Sequence, residues 1–396
     1  MRIVDIFGKT VLAAVLACVA HTPLSAAPYI PSDANQVLER LPARSSPERR
    51  EMQQLSAALA AAPDNLRIAA DLARLHIKTA RKTGDPRYLG YAQAALAPWW
   101  NQPDPPPEVR LLRATVLQTQ HRFRLALADL DAVVQADPRN AQAWLTRATI
   151  LQVQGEYAEA KKSCARLHGM TLALVVATCI ANSDAVSAQA GQSYARLKIA
   201  IERQPDAPVA IRTWTLTLMG EVAARQGAPT AAEAHFREAL ALDSSDNYLL
   251  GAYADFLLDA GREKDVISLL APHTRVDGLL LRYGIAMKRS GSPELARHVD
   301  ALQSRFDAAK MRGDASHERE QALFQLHLRD NPGAALVHAR NNWAEQKEFA
   351  DARILLETAA ASRDADAAAP VIRWLRATGL QTALLDPLLS AMEEKR

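Results

Sequence analysis

The sequence predicts an all-α fold, a solenoid of antiparallel helix pairs, and three observations lead to it. Small and apolar residues recur 34 positions apart: Ala114 answers to Ala148, Leu117 to Leu151, Ala126 to Ala160 and Leu130 to Cys164, and later Gly220 to Ala254, Gly227 to Gly261 and Phe236 to Leu270. A fixed period of this length marks stacked helix pairs. Of the 396 residues 49% are hydrophobic but only 5% aromatic, and much of the apolar content is alanine, which suits close-packed helices better than sheet. Helical periodicity starts near Glu48 and runs almost to the end, broken by short Pro, Gly and Asp-Asn punctuation without strand-like alternation.

Residues 1–26 read as an export signal. Arg2 and Lys9 precede the apolar run Val11 to Ala20, which is too short to span a bilayer, and small residues at Ser25, Ala26 and Ala27 fit cleavage after Ala26. A lipid anchor through Cys18 is the alternative, weakened by the bulky Leu16; a buried N-terminal helix is another. Export to an oxidising compartment, the periplasm, leaves Cys164 and Cys179 in the mature chain and makes their pairing the expectation. They fall in the second helix of one pair and the first helix of the next. Neighbouring helices usually lie ~8–10 Å apart, so a bridge, which needs Cα atoms within about 7 Å, requires an unusually close contact.

The net charge is +3, and removing Arg2, Asp5 and Lys9 with the leader leaves +2. Such a balance carries no basic face of the kind nucleic acid calls for. Residues 27–47, with prolines at 28, 31, 42 and 47, form an extended lead-in; 48–271 form the solenoid; and 272–396 form degenerate helical repeats ending in a polar capping helix near 381–396. Within the solenoid the period is strong over 109–167 and 213–270. It is looser over 64–98, where Ala73 and Ala92 could be the packing pair, and weakest over 171–205, where the first helix looks short. The segment Trp99 to Glu108, with two tryptophans and four prolines, reads as a stiff linker whose tryptophans cover the solenoid edge; an exposed recognition element is the alternative.

The spacings serve packing. A small residue such as Ala114, Ala148 or Gly220 in a first helix lets the second approach at Ala126, Ala160 or Ala232. Leu130, Trp144, Tyr157 and Phe236 are expected to fill the space between layers. Gly155, Gly227 and Gly261 allow the turn within a pair, and Pro138 and Pro205 start the following helix.

On these residues, and best in "AWLTRATILQVQGEYAEA" and "MGEVAARQGAPTAAEAHFREALALDSS", the chain resembles the tetratricopeptide-repeat family. The stretches "RDNPGAALVHARNNWAEQKEFADARILLETA" and "PVIRWLRATGL" resemble the C-terminal part of exported bacterial members. The resemblance implies a right-handed α-α superhelix that binds protein partners, and no defined enzymatic activity. The carboxylate-clamp subtype, with Lys and Asn on the groove face, does not fit, since the matching positions carry Leu111, Thr115, Leu145 and Thr149.

Signatures of catalysis are scarce: no Gly-x-Ser-x-Gly, phosphate loop, His-Glu-x-x-His, Cys-x-x-Cys or Gly-x-Gly occurs. His317, His327 and His338 are the one suggestive set, but Asp330 to Pro332 should break any helix joining them, and zinc sites usually show tighter ligand pairs. Glu318 and Glu320 beside His317 read as solvated helix charges. An envelope enzyme or metal-binding protein using this half is thus the second reading, and no cofactor is expected. The first is a scaffold or adaptor of the cell envelope that binds a protein segment in its concave groove. Thr115, Gln118, Thr149 and Gln152 would form a neutral polar section of that groove, and Trp214, Glu221, Arg225, Tyr248 and Asp255 an aromatic and acidic one. Trp214 and Tyr248 are the expected anchors, and a partner with apolar and basic residues the expected ligand.

Overall fold

The computed structural model describes residues 46–313 and 317–393, with side chains up to residue 390. The expected export signal with Cys18, most of the expected lead-in and the end of the expected capping helix lie outside the described residues. Among the described residues there are 21 α-helices and no strand. The chain begins with α1 (Pro47–Ala61), α2 (Leu66–Thr83), α3 (Arg87–Ala95) and the short α4 (Ala97–Trp100). It continues through α5 (Pro107–Thr119), α6 (Phe123–Ala136), α7 (Ala141–Val153), α8 (Tyr157–Arg166), α9 (Ala173–Asp184) and α10 (Ala190–Glu202). Next come α11 (Val209–Arg225), α12 (Pro229–Leu242), α13 (Asn247–Asp259), α14 (Glu263–Leu270), α15 (Asp277–Arg289) and α16 (Leu295–Met311). The last are α17 (Glu318–His327), α18 (Pro332–Glu345), α19 (Phe349–Ser362), α20 (Ala365–Thr378) and α21 (Asp386–Glu393).

Each first helix packs on its successor and on the first helix of the next pair, from α2 with α3 through α19 with α20. That is the expected helix-pair solenoid. Short polar side chains start several helices: Asn140 accepts from the Ala143 N–H at 3.0 Å, and Asp246 from the Leu249 N–H at 2.8 Å. Each such cap is worth about 1 kcal/mol. Pro138 and Pro205 lie in the turns before α7 and α11 rather than opening those helices. Pro138 lies in the turn before α7, where its carbonyl accepts from Trp144 Nε1 at 2.9 Å. Gly155, Gly227 and Gly261 have φ of 84°, 72° and 68°, a region that side-chain-bearing residues rarely adopt, and each makes the turn inside its pair.

Ala114, Ala126, Ala148 and Ala160 are fully buried, as are Ala73 and Ala92 in the first pair. At Gly220 the approach is closest: a Cβ there would sit 2.8 Å from the Phe236 ring. Leu130 and Phe236 fill the interior, whereas Trp144 and Tyr157 are only partly buried. The weakest stretch of the repeat is a complete pair. Its first helix, α9, spans 12 residues against 13 in α7 and α13, and the apparent interruption is the turn into α10. Trp100 is buried in the first hydrophobic cluster and Trp99 packs partly against it, which makes the pair an edge cover. Cys164 of α8 and Cys179 of α9 are joined by a disulfide with Cα atoms 5.7 Å apart.

The solenoid curls until its end meets its middle. The Lys347 N–H donates to the Val153 carbonyl at 2.6 Å, the Ala188 N–H to the Thr378 carbonyl at 3.1 Å, and the Ala383 N–H to the Arg225 carbonyl at 3.2 Å. Turns after α7, α9 and α11 are thereby bridged to the segment from α18 to α21. That segment shares with α17 a hydrophobic cluster running from Ala322 to Leu385, to which the first half contributes one buried residue, Val186.

Candidate functional site

A cavity of about 190 Å3 lies where the inner helices α7, α9, α11, α13, α15 and α17 face α19. Tyr248, in the first turn of α13, is 59% exposed, and the surface it exposes borders this cavity. Its hydroxyl donates to both carboxylate oxygens of Glu221 on α11, at 3.1 and 3.2 Å. Burial pushes the Glu221 carboxyl above its usual range, aided by the nearby Glu348 and Asp255 carboxylates, while Arg225 at 3.4 Å opposes the shift. The negative charge of Glu221 in turn raises the Tyr248 hydroxyl well above the normal phenol range. The phenol is therefore held protonated as a donor.

Around this centre the charges are paired between successive inner helices. Asp255 of α13 binds Arg282 of α15 through two bonds of 2.7 and 2.6 Å. Arg319 of α17 donates to Asp351 at 2.6 Å and to Glu348 at 2.5 Å. Arg353 of α19 holds Asp259 of α13 at 2.6 Å through both oxygens and Glu357 at 2.7 Å. The Arg225 guanidinium stacks 4.7 Å over the Phe349 ring. Planar two-pronged contacts of this kind fix orientation as well as contributing energy. The arrangement fixes the inner helices to one another and to α19 by charge and shape.

Of the residues expected in the groove, Glu221, Arg225, Tyr248, Asp255 and Gln152 line the cavity, and Thr115, Gln118, Thr149 and Trp214 do not. The hydroxyls of Thr115 and Thr149 donate to carbonyls of their own helices, Leu111 and Leu145, at 2.9 and 3.0 Å. Gln152 is tied to the Cys179 carbonyl at 2.8 Å and to Ser183 at 2.9 Å, and accepts from Asn182 at 2.9 Å. A neutral section with its hydroxyl donors spent inside the fold offers little to a partner backbone. Trp214, partly buried, packs against the cluster of Cys164, Leu167 and Cys179. The residues that sequence reasoning missed are Asp259, Arg282, Arg319, Glu348, Phe349 and Arg353. Most lie past residue 271, where the period blurs, and nothing in the sequence signals that α19 faces α13.

His317, His327 and His338 do not form one set. His317 lies before α17, with its ring centroid 6.4 Å from that of Phe306. His338 Nδ1 lies 2.8 Å from Glu318, and His327 Nε2 lies 3.3 Å from Glu357. Among the described residues no group of three or more His, Cys, Asp or Glu side chains is placed to hold a metal ion, and no helix is long and apolar enough to cross a membrane.

The architecture defines a class, the all-α helix-pair solenoid. No family model matches the chain, and neither does any curated protein. Among solved structures it is similar to the Cut9-Hcn1 hetero-tetramer of the APC/C, at 17% identity over 80% of this chain with a TM-score of 0.38; the chain spans 60% of the length of that one. It is also similar to human IFIT1 crystallised with m7Gppp-AAAA, at 13% identity over 88% of this chain and 86% of the other, TM-score 0.42. A tetratricopeptide repeat protein from Parabacteroides merdae matches at 14% identity over 72% of this chain and 98% of the other, TM-score 0.29. Likenesses at this level concern the helical-repeat fold and carry nothing about ligands.

Proposed function

We propose that this chain is a non-catalytic protein-interaction scaffold, exported to the cell envelope, which holds a partner segment against the inner face of α11 and α13. The observation that carries the reading is Tyr248, a large aromatic left 59% exposed on an inner helix, with its hydroxyl seated on Glu221. Open aromatic anchors above fixed carboxylates are the usual makings of a binding hot spot, and they favour a partner with apolar and basic groups. Trp214, partly buried against the Cys164–Cys179 cluster, does not line the cavity, so the reading rests on Tyr248.

Crosslinking in the native host followed by capture tests the site. Tyr248→Ala should weaken capture by about 2 kcal/mol, roughly 30-fold, with unchanged helicity, and Tyr248→Phe should lose less. Undiminished capture by Tyr248→Ala would show that the partner binds elsewhere. Export has its own test: N-terminal sequencing of the protein should begin at or near Ala27, and an intact Met1 confined to cytosol would refute it.

A further inference from the structure

Asn247, which opens α13, reaches across to the end of α2: its Nδ2 donates to the Arg81 carbonyl at 2.9 Å and to the Lys82 carbonyl at 3.3 Å. The junction sets Arg81 beside Tyr248, the next residue of α13. Two turns earlier on the same face of α2, Arg74 is paired with Asp71 and with Glu108 of α5, 34 residues further on. The residue at the same interval from Arg81 is Thr115, which is buried and spends its hydroxyl on the Leu111 carbonyl. Among the described residues the Arg81 guanidinium has no ion pair and no hydrogen bond. Its side chain is open to solvent, yet burial by the surrounding protein pushes the guanidinium below its usual range. Tyr248 shares this combination, being 59% exposed with a hydroxyl raised by the Glu221 charge and then by burial. Both side chains meet water held between protein walls.

A permanent charge that sheds water without gaining a counter-charge lacks what compensates Arg282, Arg319 and Arg353, each of which holds a carboxylate. We propose that Arg81 receives an acidic side chain of the partner segment whose apolar or basic anchor lies on Tyr248. This deepens the scaffold proposal and rests on it. A segment running from Tyr248 across Asn247 meets the Glu221 carboxylate first and the Arg81 guanidinium next. That order of signs selects both the partner and the direction in which it lies. At roughly 3.3 Å of extended chain per residue, the acid falls roughly two to four residues from the anchor. Lys82 does not compete for it, because it pairs with Glu48 of α1 at 3.7 Å, and Lys78 acts on the same carboxylate.

The probe is a library of random dodecapeptides displayed through their C-termini, so that no chain-terminal carboxylate is free. It is selected in parallel on the unaltered full chain and on Arg81→Met, which keeps the apolar stem and leaves the Asn247 contact to the backbone in place. The unaltered chain should enrich peptides with an Asp or Glu at the stated spacing from an apolar or basic anchor, and the variant should enrich the anchor without the acid. Made as an amide, the best peptide should lose about 10-fold or more in affinity for the unaltered chain when its acid becomes Asn or Gln, and less than about 2-fold for Arg81→Met. The first of these two losses needs no variant to fold. Enrichment without an acid, or an acid preference that is the same on both proteins, overturns the proposal and leaves the Tyr248 site standing. Peptides that bind Tyr248→Ala undiminished, or no enrichment at all on the unaltered chain, overturn the scaffold reading of the groove together with it.

Discussion

The Tyr157 hydroxyl donates a 2.5 Å hydrogen bond to the backbone carbonyl of Lys347, 190 residues further along, and accepts one from Trp374 Nε1 at 3.0 Å. Burial raises the phenol well above its usual range, so it stays a donor at any ordinary pH. One hydroxyl thus ties the α7–α8 turn to both α19 and α20.

Tyr157→Phe should therefore cost more than one hydrogen bond. It strands the indole N–H of Trp374 as well as the Lys347 carbonyl, and each such group costs about 1–3 kcal/mol when buried. A loss of about 2 kcal/mol in urea-induced unfolding is expected. A variant as stable as the parent would show that water replaces the hydroxyl.

Glu357 makes acid stability measurable. Burial alone would raise its carboxyl, but the His327 and Arg353 contacts overcome that and bring it from 4.5 to about 2. A carboxylate depressed in the folded state stabilises above its unfolded value and loses that contribution as pH falls through the folded one. The contribution, up to about 3 kcal/mol, should fade between about pH 4.5 and pH 2. Urea titrations of parent and Glu357→Gln should converge across this window. A difference that is constant with pH contradicts the assignment. Glu221, whose carboxyl is raised, should show the opposite slope, with stability falling as pH rises.

Reduction should loosen the α8–α9 junction. A bridge closing a separation of 15 residues contributes about 3 kcal/mol. Thiol counting with mass mapping on unfolded, unreduced protein from its native host should find neither Cys164 nor Cys179 as a free thiol. Two free thiols would remove the bridge from the native state.

Two glycines should respond in opposite directions. Gly220→Ala drives a methyl group to 2.8 Å from the Phe236 ring and should cost about 1–3 kcal/mol. Gly90, inside α3, has nothing within 4 Å, and Gly90→Ala should stabilise by about 0.5–1 kcal/mol. Thermal unfolding of the two variants gives both signs in one experiment.

The candidate site was legible in part. Glu221, Arg225, Tyr248 and Asp255 follow from carrying the inner face of one pair onto the next, because helical side-chain direction repeats with the period. The same step reaches Trp214, which is partly buried beside the Cys164–Cys179 bridge and does not line the cavity. Thr115 and Thr149 hold the expected register, but their hydroxyls bond back to the preceding turn, a local competition that position does not reveal.

By itself the sequence determined the helix pairs, since small residues at Ala114, Ala148 and Gly220, turn glycines and capping side chains act within some forty residues, over distances that local chemistry controls. Only the tertiary structure decided that Asp259 meets Arg353 and that Val153 meets Lys347. In a solenoid those meetings depend on the summed rotation of every intervening pair. Each rotation is a small outcome of packing along a whole helix interface, so no motif encodes where the curve closes.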